Sequence, residues 1–256
     1  MTKIAFITGA TSGIGKASAE LFAEHGIDLI ICGRRKERLD NLKKKLEDKV
    51  KVHTLCFDVA DKTGVLKSVE SLPVEWKNID ILVNNAGNAH GLDFAQDADL
   101  NDWENMININ VKGVMYVTKA VLPCMIENKS GHIVNISSIA GKEVYPKGNM
   151  YCASKHALDA FNAGLRMDLM GTGVKVSLVN PGLVNTEFST VRFKGDKERA
   201  DKVYEGFDAL TAEDIADLIY YVISRPPHVN ISDAMILPTA QVSAGLIYKE
   251  DQNSGD

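Results

Sequence analysis

Short unbroken apolar runs alternate with longer amphipathic stretches along the whole chain. Residues 4–7, 27–32, 52–57, 79–83, 132–136, 174–179 and, more weakly, 231–237 read as strands. Residues 14–24 place Ala17, Leu21 and Phe22 at helical spacing. Residues 37–48 put Leu39, Leu42 and Leu46 on one face, with Lys43, Lys44 and Lys45 towards water. Further helices are expected over 102–126, where Pro123 kinks the helix or ends it early, and over 153–170. Another is expected over 211–224, where Thr211 followed by Asp214 marks an N-cap. Strands covered on both faces read as continuous apolar runs, and strands alternating with helices imply a parallel sheet between helical layers. The pattern therefore predicts an α/β fold: one doubly wound domain over 1–256, with a seven-stranded, mostly parallel sheet flanked by helices on both faces. Residues 184–207 lack a clear period, which marks them as a binding loop or lid inside that domain. The polar tail 249–256 is expected to fray.

Composition changes this picture little but excludes several functions. Of 256 residues, 45% are hydrophobic and 25% charged, which is ordinary globular usage. A net charge of −5 argues against a nucleic-acid partner, which needs a concentrated basic face. Cys32, Cys56, Cys124 and Cys152 form no C-x-x-C pair and the six histidines are scattered, so no metal site is expected and the thiols read as reduced. The first apolar run is too short for a secretory signal, and nothing approaches the ~20 apolar residues of a membrane span. A cytoplasmic protein without a membrane or nucleic-acid partner is the expectation.

The first strand leads into Thr8-Gly9-Ala10-Thr11-Ser12-Gly13-Ile14-Gly15, which opens a helix. Glycines here let the backbone turn tightly and approach a pyrophosphate, whose charge suits the free N–H groups of a helix start. This is a Rossmann-type arrangement, although the spacing is not G-x-G-x-x-G. At the end of the second strand an acid would hold the ribose 2′-hydroxyl of NAD, whereas arginine accommodates the 2′-phosphate of NADP. The chain reads Cys32-Gly33-Arg34-Arg35-Lys36, with no carboxylate before Glu37, so NADP is the expected cofactor. Ser12 brings no second positive charge to the glycine turn.

Tyr151 and Lys155 stand four apart and share a helix face, with Cβ atoms ~5–6 Å apart. A phenol of pKa about 10 is a poor base at neutral pH. A neighbouring ammonium, with the positive ring of an oxidised nicotinamide, would lower it by ~2–3 units and poise Tyr151 for proton transfer.

The glycine turn, Asn84-Asn85-Ala86-Gly87, Ser138 ahead of Tyr151-Cys152-Ala153-Ser154-Lys155, and Pro181-Gly182 followed by Thr186 together resemble the short-chain dehydrogenase/reductase family, in order and over nearly the whole chain. The resemblance implies roles for individual residues. Lys155 also bonds the nicotinamide ribose, and Ser138, rather than Ser137, bonds the substrate oxygen and stabilises its charge. Asn110 resembles the asparagine that holds a relay water; a polar residue satisfying a helix kink is its plainer reading. Asp58, with Val59, resembles the adenine contact. Asn85-Ala86-Gly87 lies against the cofactor, and Pro181, Gly182, Val184 and Thr186 wrap the nicotinamide.

Fold alone does not choose a substrate. Residues 181–196 and 72–80 resemble the subgroup of NADP-dependent 3-hydroxy acid dehydrogenases. That subgroup acts on L-serine, L-allo-threonine and 3-hydroxypropionate or malonic semialdehyde, and is generally tetrameric. A small hydroxy acid offers little apolar area, so its carboxylate must orient it. Arg192 suits that task and reads equally as a solvated loop charge; Lys194 is a weaker helper that reads better as a solvated charge. Alternatives are a broad carbonyl reductase, a 3-oxoacyl-carrier-protein reductase, or an NADP-sensing regulator without catalysis. The joint presence of Ser138, Tyr151 and Lys155 disfavours the last.

Overall fold

The computed structural model describes residues 2–250 and contains a sheet of seven strands. They are β1 (Ile4–Ile7), β2 (Asp28–Gly33), β3 (Val52–Cys56), β4 (Ile81–Asn84), β5 (Gly131–Ile136), β6 (Val174–Pro181) and β7 (Asp233–Ile236). Their spatial order is β3-β2-β1-β4-β5-β6-β7, and every adjacent pair is parallel. The helices are α1 (Gly13–Glu24), α2 (Lys36–Leu46), α3 (Lys62–Glu70), α4 (Leu100–Ile107), α5 (Val114–Glu127), α6 (Asn149–Asp168), α7 (Glu187–Arg192), α8 (Lys197–Asp201) and α9 (Ala212–Ile223).

Alternation along β1 sorts the core into two layers. Ala5 and Ile7 join Leu29 and Ile31 of β2, Phe22 of α1, Leu39 of α2 and Ile219 of α9. Ile4 and Phe6 face the other way and join Ile30, Val65 of α3, Val117 and Val121 of α5, and Leu165 of α6. Both faces are thus covered, which is why the strands could be read as unbroken apolar runs.

Several elements differ from the pattern-based expectation. α3 was not anticipated because Val65 is its only buried residue, which leaves no apolar stripe to detect. α6 begins at Asn149 rather than 153, so Tyr151 stands in its first turn. Residues 184–207 are not irregular: they hold α7, α8 and a 3₁₀ turn at Lys202–Tyr204, each too short to display a period. Pro123 does not end its helix, which runs on to Glu127. The carbonyl deprived of a partner belongs to Lys119, an exposed residue within reach of water. Against the reading that nothing approaches a membrane span, Leu100–Glu127 is long and apolar enough by length and composition. Its Val117, Val121 and Met125 are spent on the core instead. In the tail, the Glu250 N–H donates to Gly206 O at 2.8 Å, so fraying does not begin at Lys249; residues 251–256 lie outside the described residues.

A buried ladder of amides ties the centre of the fold together. Asn84 Nδ2 donates to Asn135 Oδ1 at 2.8 Å and to Thr118 Oγ1 at 3.0 Å, and Asn135 Nδ2 donates to Asn162 Oδ1 at 2.9 Å. β4, β5, α5 and α6 are thereby linked by side chains that water does not reach. Asn135→Ala breaks two of these bonds and strands the partners, and is expected to destabilise the fold by about 2–4 kcal/mol. A lower urea midpoint at unchanged m checks this; an unchanged midpoint refutes it.

Candidate active site

β1 lies between β2 and β4, so the chain reverses its direction of travel across the sheet at this strand. Crevices form at the carboxyl ends of strands at such a switch. Here two turns interlock. Thr8 Oγ1 accepts the N–H groups of Asn85 and Ala86, each at 2.9 Å, while Asn85 Nδ2 donates to Thr8 O at 2.9 Å. Gly9 has φ of +66°, and a Cβ on it would lie 3.0 Å from Ala86 Cα. A Cβ on Gly15 would lie 2.4 Å from Asn85 Nδ2. Only glycine permits this approach.

The donor set at this turn fits a dinucleotide phosphate. Ser12 precedes α1 without capping it through its side chain, and the first turn carries no acid. The free N–H groups and the positive end of the helix dipole are left for an anion.

A cavity of about 490 Å³ runs from this turn past α7. Most of the expected residues line it: Gly9, Thr11, Ser12, Gly13 and Ile14; Arg34, Arg35, Asp58 and Val59; Asn85, Ala86 and Gly87; Pro181, Gly182, Val184 and Thr186; and Ser138, Tyr151, Lys155 and Arg192. Ala10, Gly15 and Asn110 are not on its wall. Ala10 is fully buried in the core beneath the turn, and Gly15 serves the turn's packing against Asn85.

Asn110 acts from behind the wall. It lies in a π-helical turn, Asn108–Gly113, that joins α4 to α5. Its Oδ1 accepts from Asn88 N–H at 2.9 Å, and its Nδ2 donates to Asn88 O at 2.8 Å and Ser154 Oγ at 3.0 Å. The amide thus clamps the loop after β4 as a neighbouring strand would. It is also close to the lysine: a Cβ on Gly87 would lie 3.3 Å from Asn110 Oδ1 and 3.5 Å from Lys155 Nζ.

At the far end from Tyr151 the arginines differ in their engagement. Arg35 donates to Thr11 Oγ1 at 2.9 Å and Ser12 Oγ at 2.8 Å. Ser12 therefore contributes an acceptor that orients this guanidinium, where the sequence offered only a missing charge. Arg34 Nη1 is 3.4 Å from Asp58 Oδ2, whose other oxygen accepts from Ala60 N–H at 3.0 Å.

At the other end, Lys155 Nζ donates to Ile136 O at 3.0 Å and lies 5.9 Å from the centre of the Tyr151 ring. Burial lowers its pKa to about 8. Burial pushes the Tyr151 phenol up, against smaller downward pulls from Ser138 and Arg192. The lowering expected from Lys155 is thus not produced by the protein's own groups: i,i+4 spacing reveals a neighbour, not the loss of water around it. Ser137 is buried and donates to Lys155 O at 3.4 Å, while Ser138 is half-buried, donates to Pro181 O at 3.4 Å and accepts from Ala140 N–H at 3.1 Å. Arg192 Cζ sits 5.5 Å from the centres of both the Tyr145 and Tyr151 rings, donating to Tyr145 Oη at 2.8 Å and Gly91 O at 3.2 Å. Lys194 is instead paired with Asp102 at 2.8 Å.

The sequence pattern of the short chain dehydrogenases matches residues 3–197. The chain belongs to that family. It is 48% identical over 244 residues to NADP-dependent 3-hydroxy acid dehydrogenase YdfG of Salmonella typhi, covering 95% of this chain and 98% of that one. It is 45% identical over 252 residues to sulfoacetaldehyde reductase 2 of Chromohalobacter salexigens, covering 98% and 100%. The closed form of serine dehydrogenase complexed with NADP+ superposes with a TM-score of 0.91 at 46% identity, covering 97% of this chain and 100% of that one.

Five residues of this dehydrogenase site, Tyr145, Phe188, Gln241, Arg38 and Glu187, carry no expectation from the sequence. Tyr145 and Phe188 flank Tyr151, Phe188 with its ring centre 5.7 Å away. Gln241 Oε1 accepts from Leu183 N–H at 2.9 Å and so braces the strand-end backbone after Gly182. Arg38 joins Arg35 on Glu187. Only Arg38, one helical turn beyond Arg35, carried a local signal.

The buried lysine makes a testable trade. Its pKa falls from 10.5 to about 8 on folding. Between these values the unfolded chain binds the extra proton, so stability rises with pH across that window and the full penalty applies below it. Lys155→Met is expected to stabilise the fold by on the order of 2–3 kcal/mol at pH 7. The gain should shrink between pH 8 and 10. Urea unfolding at pH 7 and pH 10 checks it, and a gain independent of pH refutes it.

Proposed function

We propose that the protein is an NADP-dependent oxidoreductase acting on the 3-hydroxyl, or the corresponding aldehyde or ketone, of small 3-hydroxy acids such as L-serine, L-allo-threonine and 3-hydroxypropionate. The observation that carries this is the Arg192 guanidinium over the Tyr151 ring, in the cavity that also holds Ser138 and Lys155. NADP supplies the hydride acceptor or donor when bound. Gly9 to Ile14 hold its phosphates, Arg34 and Arg35 its 2′-phosphate, Asp58 and Val59 its adenine end, and Asn85 to Gly87 with Pro181, Gly182, Val184 and Thr186 its remaining length.

Tyr151 exchanges the proton of the substrate hydroxyl. Its raised pKa keeps the phenol protonated at neutral pH, ready to donate in the reductive direction. For oxidation, loss of that proton would be eased by the positive nicotinamide ring of the bound oxidised cofactor. Ser138 donates to the substrate oxygen as charge develops on it. Asn110 holds the Asn88 backbone and, through Ser154, the helix that carries both Tyr151 and Lys155. Arg192, whose Nε and one Nη are fixed by Gly91 and Tyr145, offers its remaining nitrogen to the substrate carboxylate. A sulfonate presents the same acceptor oxygens, and the 45% identity to a sulfoacetaldehyde reductase favours testing it beside the carboxylates. We place the protein in a homotetramer; half-exposed Met235 on the edge strand β7 and Tyr221 on the neighbouring α9 are apolar surface such an assembly would cover. Light scattering tests this.

Two outcomes are expected. Mixing with NADP+ and each hydroxy acid produces reduced cofactor, while Tyr151→Phe lowers turnover by at least about 10²-fold and leaves NADPH binding intact. Full activity of that variant would refute the assignment. Arg192→Met raises KM for the acids by about 10- to 100-fold and leaves a plain secondary alcohol unaffected. An equal rise for both would remove Arg192 from carboxylate binding.

A further inference from the structure

α7 touches both ends of the cavity. Its first residue, Glu187, reaches the adenosine side, where Oε2 is 2.9 Å from Arg35 Nη1 and Oε1 is 2.7 Å from Arg38 Nη1. Its second, Phe188, packs on Tyr151, and its last, Arg192, lies over the same ring. Six residues therefore join the arginines expected to read a 2′-phosphate to the groups expected to read the substrate.

A phosphate monoester and a carboxylate compete for the same guanidinium donors, because each takes N–H groups in the same forked geometry. Glu187 is fully committed to those donors. Burial, the largest single influence, raises its pKa, but the hydrogen bonds and charges of Arg38 and Arg35 together outweigh it and hold the carboxyl below the usual carboxylate range. Thr11 and Ser12 fix Arg35 from the other side, so the guanidinium stays in place whichever anion it holds.

We propose that Glu187 is a specificity and positioning residue that competes with the 2′-phosphate for Arg35 and Arg38, so that the phosphate, on binding, releases the start of α7. The inference rests on the NADP reading above and adds to it: the chain senses the 2′-phosphate at the helix that carries Phe188 and Arg192. A nicotinamide dinucleotide without this phosphate leaves Glu187 on its arginines. Discrimination between the two cofactors is then transmitted to the substrate end of the cavity.

The test uses the full-length protein and two nucleotide probes, 2′,5′-ADP and 5′-AMP, which differ only in the phosphate at issue. Calorimetry on wild type and Glu187→Gln gives affinities, and hydrogen exchange reports on 187–192. The glutamine keeps the shape and removes the charge. Expected results are about fivefold tighter 2′,5′-ADP binding by Glu187→Gln with 5′-AMP unchanged. Exchange in 187–192 should rise when wild type binds 2′,5′-ADP and stay level with 5′-AMP. Unchanged or weaker 2′,5′-ADP binding by the variant overturns the proposal, because Glu187 would then only position the arginines. Equal affinity of wild type for the two probes overturns the NADP reading itself and this proposal with it.

Discussion

The close contact between two backbone turns, one after β1 and one after β4, is the constraint on which the site depends. Thr8 and Asn85 exchange hydrogen bonds across it, and Gly9 and Gly15 supply the missing Cβ volume. The open start of α1 hangs on one side of this contact and the Asn85–Gly87 backbone on the other. From the second turn the constraint passes to Asn88, which Asn110 clamps, and through Ser154 to the helix bearing Tyr151 and Lys155. The glycine turn and the proposed proton donor are therefore held in register by one connected set of contacts.

The electrostatics of the catalytic end follow from burial more than from neighbours. Lys155 and Tyr151 are both enclosed, and enclosure moves each towards its neutral form, the lysine down and the phenol up. The Arg192 guanidinium, centred 5.5 Å from the Tyr151 ring, is the cation over the phenol. A phenol held protonated beside a fixed cation is suited to meeting an oxyanion, while its deprotonation needs further positive charge nearby.

Features with a local cause could be seen in the residues themselves. The glycine turn, the arginines after β2 and the Tyr151/Lys155 pair each occupy a few consecutive positions or one helix face, and the structure places them around a single cavity. Double coverage of the sheet wrote itself as unbroken apolar runs. What escaped has a tertiary cause. Glu187 meets Arg35 across 152 positions and Gln241 meets Leu183 across 58, so no window of sequence contains either pair. α7 and α8 are shorter than the two turns that a helical period needs, and α3 buries a single residue. Asn110 could be noticed as a polar residue among apolar ones, but the π turn that lets its amide bridge to Asn88 had no signature.

The interlock between the turns also has a history in time. Thr8 and Asn85 are 77 positions apart, so the cradle for the phosphates is not a local motif that forms with its own strand and helix. It exists only once β4 has docked beside β1, after a long loop has closed. The β2 side of the glycine turn, where the Ala10 N–H donates to Cys32 O at 3.0 Å, is local, but its other side is completed only by the fourth strand. Cofactor capture is thereby confined to chains whose sheet has already passed its topological midpoint.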